Sequence, residues 1–497
     1  MKSAAADAAP LAPAPGPTLF GQPRGLATLF LTEMWERFTY YGIQAILILF
    51  MVAAVSRGGL GLDDRTSSSI FGLFLGSTYL LGLFGGWIAD RLLGAQRAVI
   101  SGGILIAAGS ILLAIGNHAI FFLGLLVNAM GVGLLKPNVS AIVASLYPEG
   151  GARRDAGFSI FYMGINSGAL LGSFFVPLCA AAFGWRVGFA LPALFMTLGV
   201  AQFLWTRSYL GAAGLQPAHD RRGSWTPVVV FLAAVALIVI LALTGIVTLD
   251  AAVLVRAASW GYGLLALAYF VYLLFFAGLT AVERKRALVM VALFVASAIF
   301  WAGYFQQGGS FNLFAERYTD RHIFGWDMPA GVLQAVNPFF VITLAGVFAA
   351  LWLALGKRGR DPLASTKFGV ALILLGLGFL VMYFAAQHVL AGQLVLPTWL
   401  VLTYFLNTCG ELCLSPVGLS YMSKLAPPRF VGQAMGIFFL SLALGGNLAG
   451  VLTGQYDASH LESLPGLFLK IFWYGVIAGA VMLLLTPAVK KLMAGVH

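Results

Sequence analysis

The chain has 497 residues, of which 60% are hydrophobic and 9% are charged. A soluble domain has about 25% charged residues, so this composition excludes a soluble enzyme or binding module and indicates a polytopic membrane protein. The formal net charge of +11 fits that class, because cytoplasmic loops of membrane proteins are rich in Lys and Arg. We therefore expect no nucleic-acid partner.

Residues 1–25 are rich in Ala and Pro and lack the apolar segment of a cleaved signal, which predicts a disordered cytoplasmic tail. Each later hydrophobic run is long enough to cross a bilayer, which takes about 20 residues. The runs predict fourteen transmembrane helices, at 26–55, 66–92, 97–116, 119–146, 155–183, 186–208, 226–248, 257–280, 286–313, 329–355, 367–387, 395–423, 431–454 and 466–489.

The distribution of basic residues predicts the orientation. Fourteen crossings place both termini on one side, and the segments on that side hold twenty Lys and Arg residues against seven on the other. Because positive charge concentrates in the cytoplasm, we expect both termini there.

The first run, Leu26 to Val52, carries charges that a membrane helix normally excludes. Helical spacing places four polar side chains on one face, with Glu36 and Tyr41 beside them: Glu33, Arg37, Tyr40 and Gln44. Lys136 and Glu411 are the other ionisable residues well inside predicted helices. Salt bridges that only hold the bundle together are one interpretation. A functional polar site is the interpretation we favour, because apolar packing would fill a structural role at lower cost.

The segment GGWIADRLLGAQR, residues 85–97, resembles the cytoplasmic loop motif of the major facilitator superfamily. The resemblance implies two six-helix bundles, close helix approach at Gly86, and a latch formed by Asp90 and Arg91. Fourteen runs then imply an inserted lipid-facing hairpin at 226–280. The expected domains are a tail at 1–25, an N-terminal bundle at 26–210, a linker and hairpin at 211–284, a C-terminal bundle at 285–490, and a tail at 491–497.

Seven segments together resemble motifs of the proton-coupled oligopeptide transporters, a branch of that superfamily. They are EMWERFTYYG (33–42), GVGLLKPNVS (131–140), FSIFYMGINSGALLG (158–172), FWAGYFQQGGSFNLFA (300–315), QAVNPFF (334–340), GELCLSPVGLSYMSKLAP (410–427) and GQAMGIFFLS (432–441). The resemblance implies a symporter in a bacterial-type inner membrane that imports di- and tripeptides with protons. It implies no cofactor, no metal and no enzymatic activity.

The resemblance also implies roles for individual residues. Arg37 and Lys136 would hold the peptide carboxylate, and Glu411 would hold the peptide ammonium. Burial disfavours the charged form of Glu33 and Glu36 whereas Arg37 favours it, so this group is the expected proton site. Hydrogen bonds and walls would come from Asn166, Asn337, Tyr40, Tyr41, Tyr79 and Trp301. Core packing of the aromatic residues and a helix-kink cap at Asn337 are the alternatives.

Three positions depart from the family pattern. Gln44 stands where many bacterial members have Arg, and the stretch around Phe305 has no acid. We therefore expect an apolar or hydrogen-bonded outer gate. Phe438 replaces the usual Trp of the eleventh helix, which would reshape a side-chain pocket.

Other functions stay open at this point. The same superfamily includes drug/proton antiporters and transporters of nitrate, and a non-transporting peptide receptor could share the scaffold. Nitrate would be repelled by Glu411, so the charge set favours a zwitterion. We find neither metal-ligand spacing nor a GxSxG elbow that would indicate a membrane enzyme. We expect a monomer surrounded by lipid.

Overall fold

The computed structural model describes residues 18–116, 118–148, 151–215, 224–456 and 461–493. Residues 1–17 of the predicted tail, 216–223 of the linker and 494–497 of the C-terminal tail lie outside the described residues.

The N-terminal half contains six long helices in an antiparallel bundle. In the bundle α1 packs on α5 and α6, and α3 packs on α4 and α6. A π-helical turn at Ala89–Leu93 follows α2, and 3₁₀ turns occur at Val55–Arg57 and Arg207–Leu210. The helices are α1 (Arg24–Val52), α2 (Asp64–Ile88), α3 (Ala95–Ile115), α4 (His118–Ser145), α5 (Gly151–Phe183) and α6 (Trp185–Thr206).

The predicted hairpin consists of α7 (Thr226–Leu243) and α8 (Ala251–Val271), the latter extended by a π-helical turn at Tyr272–Phe276. Large apolar side chains such as Phe231, Trp260 and Leu264 are exposed along both helices. Only α8 packs extensively on the rest of the described chain, and it contacts α2 and α14. The hairpin therefore presents an apolar surface suited to lipid.

The C-terminal half mirrors the first with six long helices and two short ones. They are α9 (Ala281–Tyr304), α10 (Ser310–Tyr318), α11 (Val336–Lys357), α12 (Ala364–Leu390), α13 (Thr398–Leu425), α14 (Val431–Thr453), α15 (Ser463–Leu484) and α16 (Thr486–Leu492). Turns of 3₁₀ helix occur at Phe305–Gln307, Ala330–Ala335 and Pro428–Phe430.

The described chain also contains two short antiparallel hairpins. One pairs β1 (Thr18–Leu19) with β2 (Gln22–Pro23), and the other pairs β3 (His322–Ile323) with β4 (Trp326–Asp327).

Each of the fourteen predicted runs contains one long helix, so the all-α fold class is confirmed. Within the described ranges, twelve helices are long and apolar enough to cross a membrane. The first helix is not among the twelve; its charged residues lower its hydropathy. The helix Thr226–Ala242 is apolar but shorter.

Two details differ from the sequence-based expectation. Residues 18–25 of the predicted tail form the β1–β2 hairpin and the start of α1, and the Tyr147 hydroxyl donates a 2.8 Å hydrogen bond to Gln22. The run 286–313 is broken between α9 and α10. Gly308 and Gly309 lie at the break, where a Cβ atom would lie 2.5 Å from Phe71 and from Thr453, respectively. Glycine there lets α2 and α14 approach the broken helix.

The two halves meet more closely at one end of the bundle than at the other. We call the end with residues 52–64, 243–251, 318–336, 453–456 and 461–463 the Asp64 face, and the end with residues 88–95, 145–148, 357–364 and 425–431 the Asp90 face. Near the Asp64 face, α2 crosses α14 so tightly that a Cβ on Gly72 would lie 2.7 Å from the Gly450 Cα. Across the Asp90 face, neither α4 nor α5 packs extensively on α13 or α14 within the part of the chain that the structure describes. The structure is therefore closed at the Asp64 face and open toward the Asp90 face.

Candidate functional site

The charged group on α1 lies at the centre of the N-terminal half. The guanidinium of Arg37 contacts the Glu36 carboxylate through Nε, and the same Nε lies 3.3 Å from Oε1 of Glu33. All three side chains are at most 3% exposed. The i, i+4 spacing of Glu33 and Arg37 predicted this pair correctly.

Two glycines of α5 bring this helix onto α1. A Cβ on Gly168 would lie 2.1 Å from the Met34 carbonyl oxygen, and one on Gly172 would lie 2.2 Å from the Phe38 carbonyl oxygen. Part of the motif at 158–172 is therefore explained by backbone packing, which holds the α1 charges in a fixed position.

Lys136 extends the charge cluster from α4. Its ammonium lies 4.3 Å from the centroid of the Tyr79 ring, a cation–π contact. It is within electrostatic range of Arg37, Glu36 and Glu33. Together the four groups contain two positive and two negative charges, which is the balance that a buried cluster requires.

Glu411 of α13 stands in the opposite half without a cation. Its Oε2 accepts a 3.1 Å hydrogen bond from Nδ2 of Asn337, which also donates to Thr408 at 2.8 Å. The Tyr304 hydroxyl donates to Oδ1 of Asn337 at 3.0 Å. Among the described residues Glu411 has no ion-pair partner. Asn337 thus bonds three side chains and does not cap its own helix.

Aromatic residues fill the space between the two charged groups. Tyr41 is within electrostatic range of both Arg37 and Glu411. The Tyr40 ring packs edge-on against Tyr41 with a centroid distance of 5.3 Å, and Trp301 contacts Tyr304 at 4.9 Å. The predicted aromatic walls are thus close to the charges; they are Tyr40, Tyr41, Tyr79 and Trp301. The alternative of plain core packing does not describe Tyr41, because that residue is only partly buried.

Sequence reasoning missed Tyr162, Tyr304 and Thr408 as site residues. Tyr162 is within electrostatic range of Glu411 and Tyr41, and it precedes Asn166 by one helical turn. This spacing was the feature of the sequence from which Tyr162 could have been predicted as a site residue. Asn166 itself donates to the Tyr162 carbonyl oxygen at 2.9 Å.

The loop motif at the Asp90 face differs from the prediction at Gly86. A Cβ there would meet nothing within 4 Å, whereas one on Gly85 would lie 2.1 Å from the Gly133 carbonyl oxygen. The close helix approach therefore belongs to Gly85, because that residue faces α4. Asp90 is exposed and forms no hydrogen bond or ion pair with another described residue, and Arg91 is half-buried on the same turn.

The positions that depart from the family pattern occupy two places. Gln44 packs beside Gly308, and Phe305 lies between Trp301 and Tyr79 with ring-centroid distances of 5.4 and 5.9 Å. Phe438 packs against Gly418, where a Cβ would lie 2.6 Å from its ring. A packing contact therefore joins the halves around Gln44 and Phe305, and the buried Oε1 of Gln44 forms no hydrogen bond with another described residue.

Closer to the Asp64 face, the halves are also joined by polar contacts that the sequence did not reveal. The guanidinium of Arg317 binds the Asp64 carboxylate at 2.7 and 2.6 Å, and Asn312 donates a 2.9 Å hydrogen bond to the Ala45 carbonyl oxygen. An ion pair therefore joins the halves in this layer, in addition to the contact around Gln44 and Phe305, because Arg317 ends α10 opposite the start of α2.

The described residues contain no group of three or more His, Cys, Asp or Glu side chains placed to hold a metal ion.

The chain resembles known proteins over almost its whole length. The sequence model of the POT family (PTR2) matches residues 96–473. The peptide transporter YePEPT of Yersinia enterocolitica is 41% identical, with 96% of both chains covered. A di-/tripeptide transporter of Lactococcus lactis is 33% identical, with 97% of this chain and 98% of the relative covered.

A solved structure agrees in three dimensions as well. A mutant of the peptide transporter POT in complex with alafosfalin has a TM-score of 0.89 and 40% sequence identity, covering 97% of this chain and 98% of that one. The two six-helix halves and the inserted hairpin thus form a major facilitator superfamily fold, and the resemblance noted in the sequence is confirmed. The chain is a multi-pass membrane protein that belongs to the POT family of transporters.

Proposed function

We propose that the chain is a proton-coupled symporter that imports di- and tripeptides by alternating access. The observation that carries the proposal is the charge arrangement. In one half, the four charges of Glu33, Glu36, Arg37 and Lys136 sum to zero, and hydrogen-bond donors remain without partners among the described residues. In the other half, the Glu411 carboxylate has no cation from the described chain. A peptide with free ends is a zwitterion and complements both sides. The names of the Yersinia and Lactococcus relatives, both peptide transporters, support the same substrate class.

The carboxylate end of the peptide binds Arg37 and Lys136. Nη2 of Arg37 is buried and forms no hydrogen bond with another described residue, so a donor is available there. Lys136 contributes a point charge held over Tyr79. The planar guanidinium of Arg37 and the mobile ammonium of Lys136 can together bind a carboxylate that approaches at different angles, which suits peptides of different length.

The ammonium end binds Glu411. Asn337 fixes the position of this carboxylate through a hydrogen bond, and Thr408 accepts a second hydrogen bond from the same amide, so the carboxylate cannot turn away to other partners at little cost. Glu411 is half-buried, and a carboxylate partly removed from water without a cation is unfavourable, so the peptide ammonium supplies the missing partner. Asn166, Tyr40, Tyr41 and Trp301 border the peptide between its ends.

Glu33, Glu36 and Arg37 couple protons to peptide. Oε2 of Glu33 and Oε1 of Glu36 are buried and form no hydrogen bond with a described residue. Arg37 cannot neutralise two carboxylates and a peptide carboxylate at once. Protonation of Glu33 or Glu36 therefore frees the guanidinium for the peptide, and loss of the peptide returns Arg37 to the glutamates.

Alternating access requires the two halves to rock about the site. The closure at the Asp64 face includes the contact around Gln44 and Phe305, and it faces the outside if both termini are cytoplasmic, as the basic loops predict. The closure at the Asp90 face includes the turn that contains Asp90 and Arg91, and it also includes Phe438. We propose a monomer as the transporting unit.

The test is uptake of labelled dialanine into proteoliposomes with and without an inward proton gradient. We expect accumulation only with the gradient. Glu36→Gln should abolish accumulation and retain counterflow, whereas Glu411→Gln should weaken both. Glu316→Gln is the matched control, because Glu316 is an exposed acid paired with Arg321 at 3.1 Å away from the site.

The outcome also separates the competing functions. If no di- or tripeptide accumulates with the gradient, the proposal is wrong. If acidification outside slows uptake, an antiporter is the better description. If dialanine binds and is never transported, the protein is a receptor.

A further inference from the structure

An apolar groove lies between the hairpin and the N-terminal half. It has a volume of about 1160 Å³ and is lined by α2, α4, α7 and α8, with side chains such as Ile70, Phe74, Leu123 and Leu254. Its α2 wall runs from Asp63 to Ser77, a length of about 20 Å at 1.5 Å per residue. One leaflet has a hydrocarbon depth of about 15 Å, so the groove has the depth of a single acyl chain. We call it the hairpin groove.

A second cavity adjoins the groove at the Asp64 face. It has a volume of about 770 Å³ and shares Asp63, Arg65 and Ala252 with the hairpin groove. Its other walls include Arg256 at the start of α8 and the segment from Val451 to Tyr456 at the end of α14. We call it the polar pocket. It combines residues of both halves and of the hairpin.

The polar pocket is lined by two arginines, Arg65 and Arg256, and by two aspartates, Asp63 and Asp64. Neither Arg65 nor Arg256 forms an ion pair with another described residue. The nearby acids are already engaged: Asp63 accepts from the Thr66 amide at 2.9 Å, and Asp64 binds Arg317. Nε of Arg256 donates to the Ala252 carbonyl oxygen at 2.9 Å, which anchors its head beside the cavity.

We propose that the hairpin groove and the polar pocket bind one glycerophospholipid, with an acyl chain in the groove and the phosphodiester between Arg65 and Arg256. Arginine pairs with phosphate oxygens through strong, charge-assisted hydrogen bonds, and the groove supplies the apolar contact that a free anion would not use. The union of a long apolar groove and an adjoining pocket with two arginines outside any described ion pair favours an amphiphile over either a soluble anion or a hydrocarbon.

Binding at this place favours the closed Asp64 face. The polar pocket is intact only while α2 and α14 are together, because Gly454 and Gln455 come from one half and Arg65 from the other. A ligand that binds one state better than another shifts the population toward it. The lipid therefore acts as a bridge through which the hairpin influences the transport halves.

The test uses the full chain, delipidated in detergent and titrated with dioleoyl phosphatidylglycerol or phosphatidylethanolamine. Native mass spectrometry counts bound lipid, and thermal unfolding reports stabilisation. We expect one phospholipid to bind more tightly than the rest, and Arg65→Gln/Arg256→Gln to weaken that binding about tenfold or more. Leu123→Trp, which fills the groove without touching either arginine, should weaken it as well.

Arg57→Gln is the control, since Arg57 is exposed near the same face and lines neither cavity. Equal lipid binding by the wild-type chain and the double variant would overturn the proposal. Displacement of the lipid by glycerol phosphate at the same concentration as by intact phospholipid would also overturn it, because the site would then bind an anion alone. Both arginines are exposed, so size-exclusion profiles of the variants should match the wild type.

Discussion

Removal of the ion pair between Asp64 and Arg317 should shift the protein toward a state that is open at the Asp64 face. The two side chains belong to different halves and are 14% and 25% exposed, respectively. Charge-assisted hydrogen bonds contribute about 1.5–3 kcal/mol when buried, and exposed pairs contribute about 1 kcal/mol or less. For this partly exposed bidentate pair we expect about 1–2 kcal/mol, which corresponds to a shift of about 5- to 30-fold in the open-to-closed ratio.

The shift can be measured as a distance distribution between spin labels at Val55 and Phe324, which are both exposed at this face and lie in different halves. The labels require a chain in which the three native cysteines, Cys179, Cys409 and Cys413, are replaced. Asp64→Asn should increase the long-distance population.

A double-mutant cycle tests whether the pair itself is responsible. Asp64→Asn combined with Arg317→Gln should open the face no more than the stronger single change. Glu316→Gln should leave the distances unchanged, because its ion pair with Arg321 lies within one half. Additive effects of the two single changes, or no shift in either, would refute the reasoning.

Three further outcomes follow from other contacts. Gly85→Ala should destabilise the protein in thermal unfolding by about 1–3 kcal/mol through a clash with backbone, whereas Gly86→Ala should stay within about 0.5 kcal/mol; equal effects would contradict the packing described. Asn337→Ala should weaken dialanine binding, because three side chains lose a partner, and an unchanged dissociation constant in calorimetry would argue against its role. Asp327 holds the pKa of His322 above its ordinary value, so their ion pair stabilises the β3–β4 hairpin at pH values below about 6.5 and is lost as pH rises through the raised pKa. An NMR titration should show that pKa falling in Asp327→Asn, and no change would refute the pairing.

The fold was predictable because a bilayer imposes length and hydropathy on every crossing segment. Local spacing was equally informative for Glu33 and Arg37, which are one helical turn apart. The break at Gly308 was not predictable, because glycine is common inside membrane helices and only contact with Phe71 and Thr453 shows why it is needed.

The site was predictable where motifs carried it and not where distant segments meet. Asp64 and Arg317 are 253 residues apart, and nothing local distinguishes either from an ordinary loop charge. The close approach at Gly85 rather than Gly86 depends on the rotation of α2, which hydrophobic periodicity does not define when a helix is apolar on all sides. Tyr304 becomes a site residue only through its bond to Asn337 on another helix.

The charge cluster of α1 and α4 has a consequence for the electrical behaviour of the protein. In the proposed cycle its two acids and two bases sum to zero while both glutamates are deprotonated, and the charge of a proton taken up by either glutamate is offset by the peptide carboxylate, so this half with its bound peptide end carries no net charge through the membrane field when it rocks. A displaced elementary charge changes in energy by about 2.3 kcal/mol per 100 mV, and the cluster avoids this contribution. The membrane potential then acts mainly on Glu411 and on whatever ions accompany the substrate. Sensitivity to voltage in each step of the cycle would thus report the occupancy of Glu411 more than the position of the α1 charges.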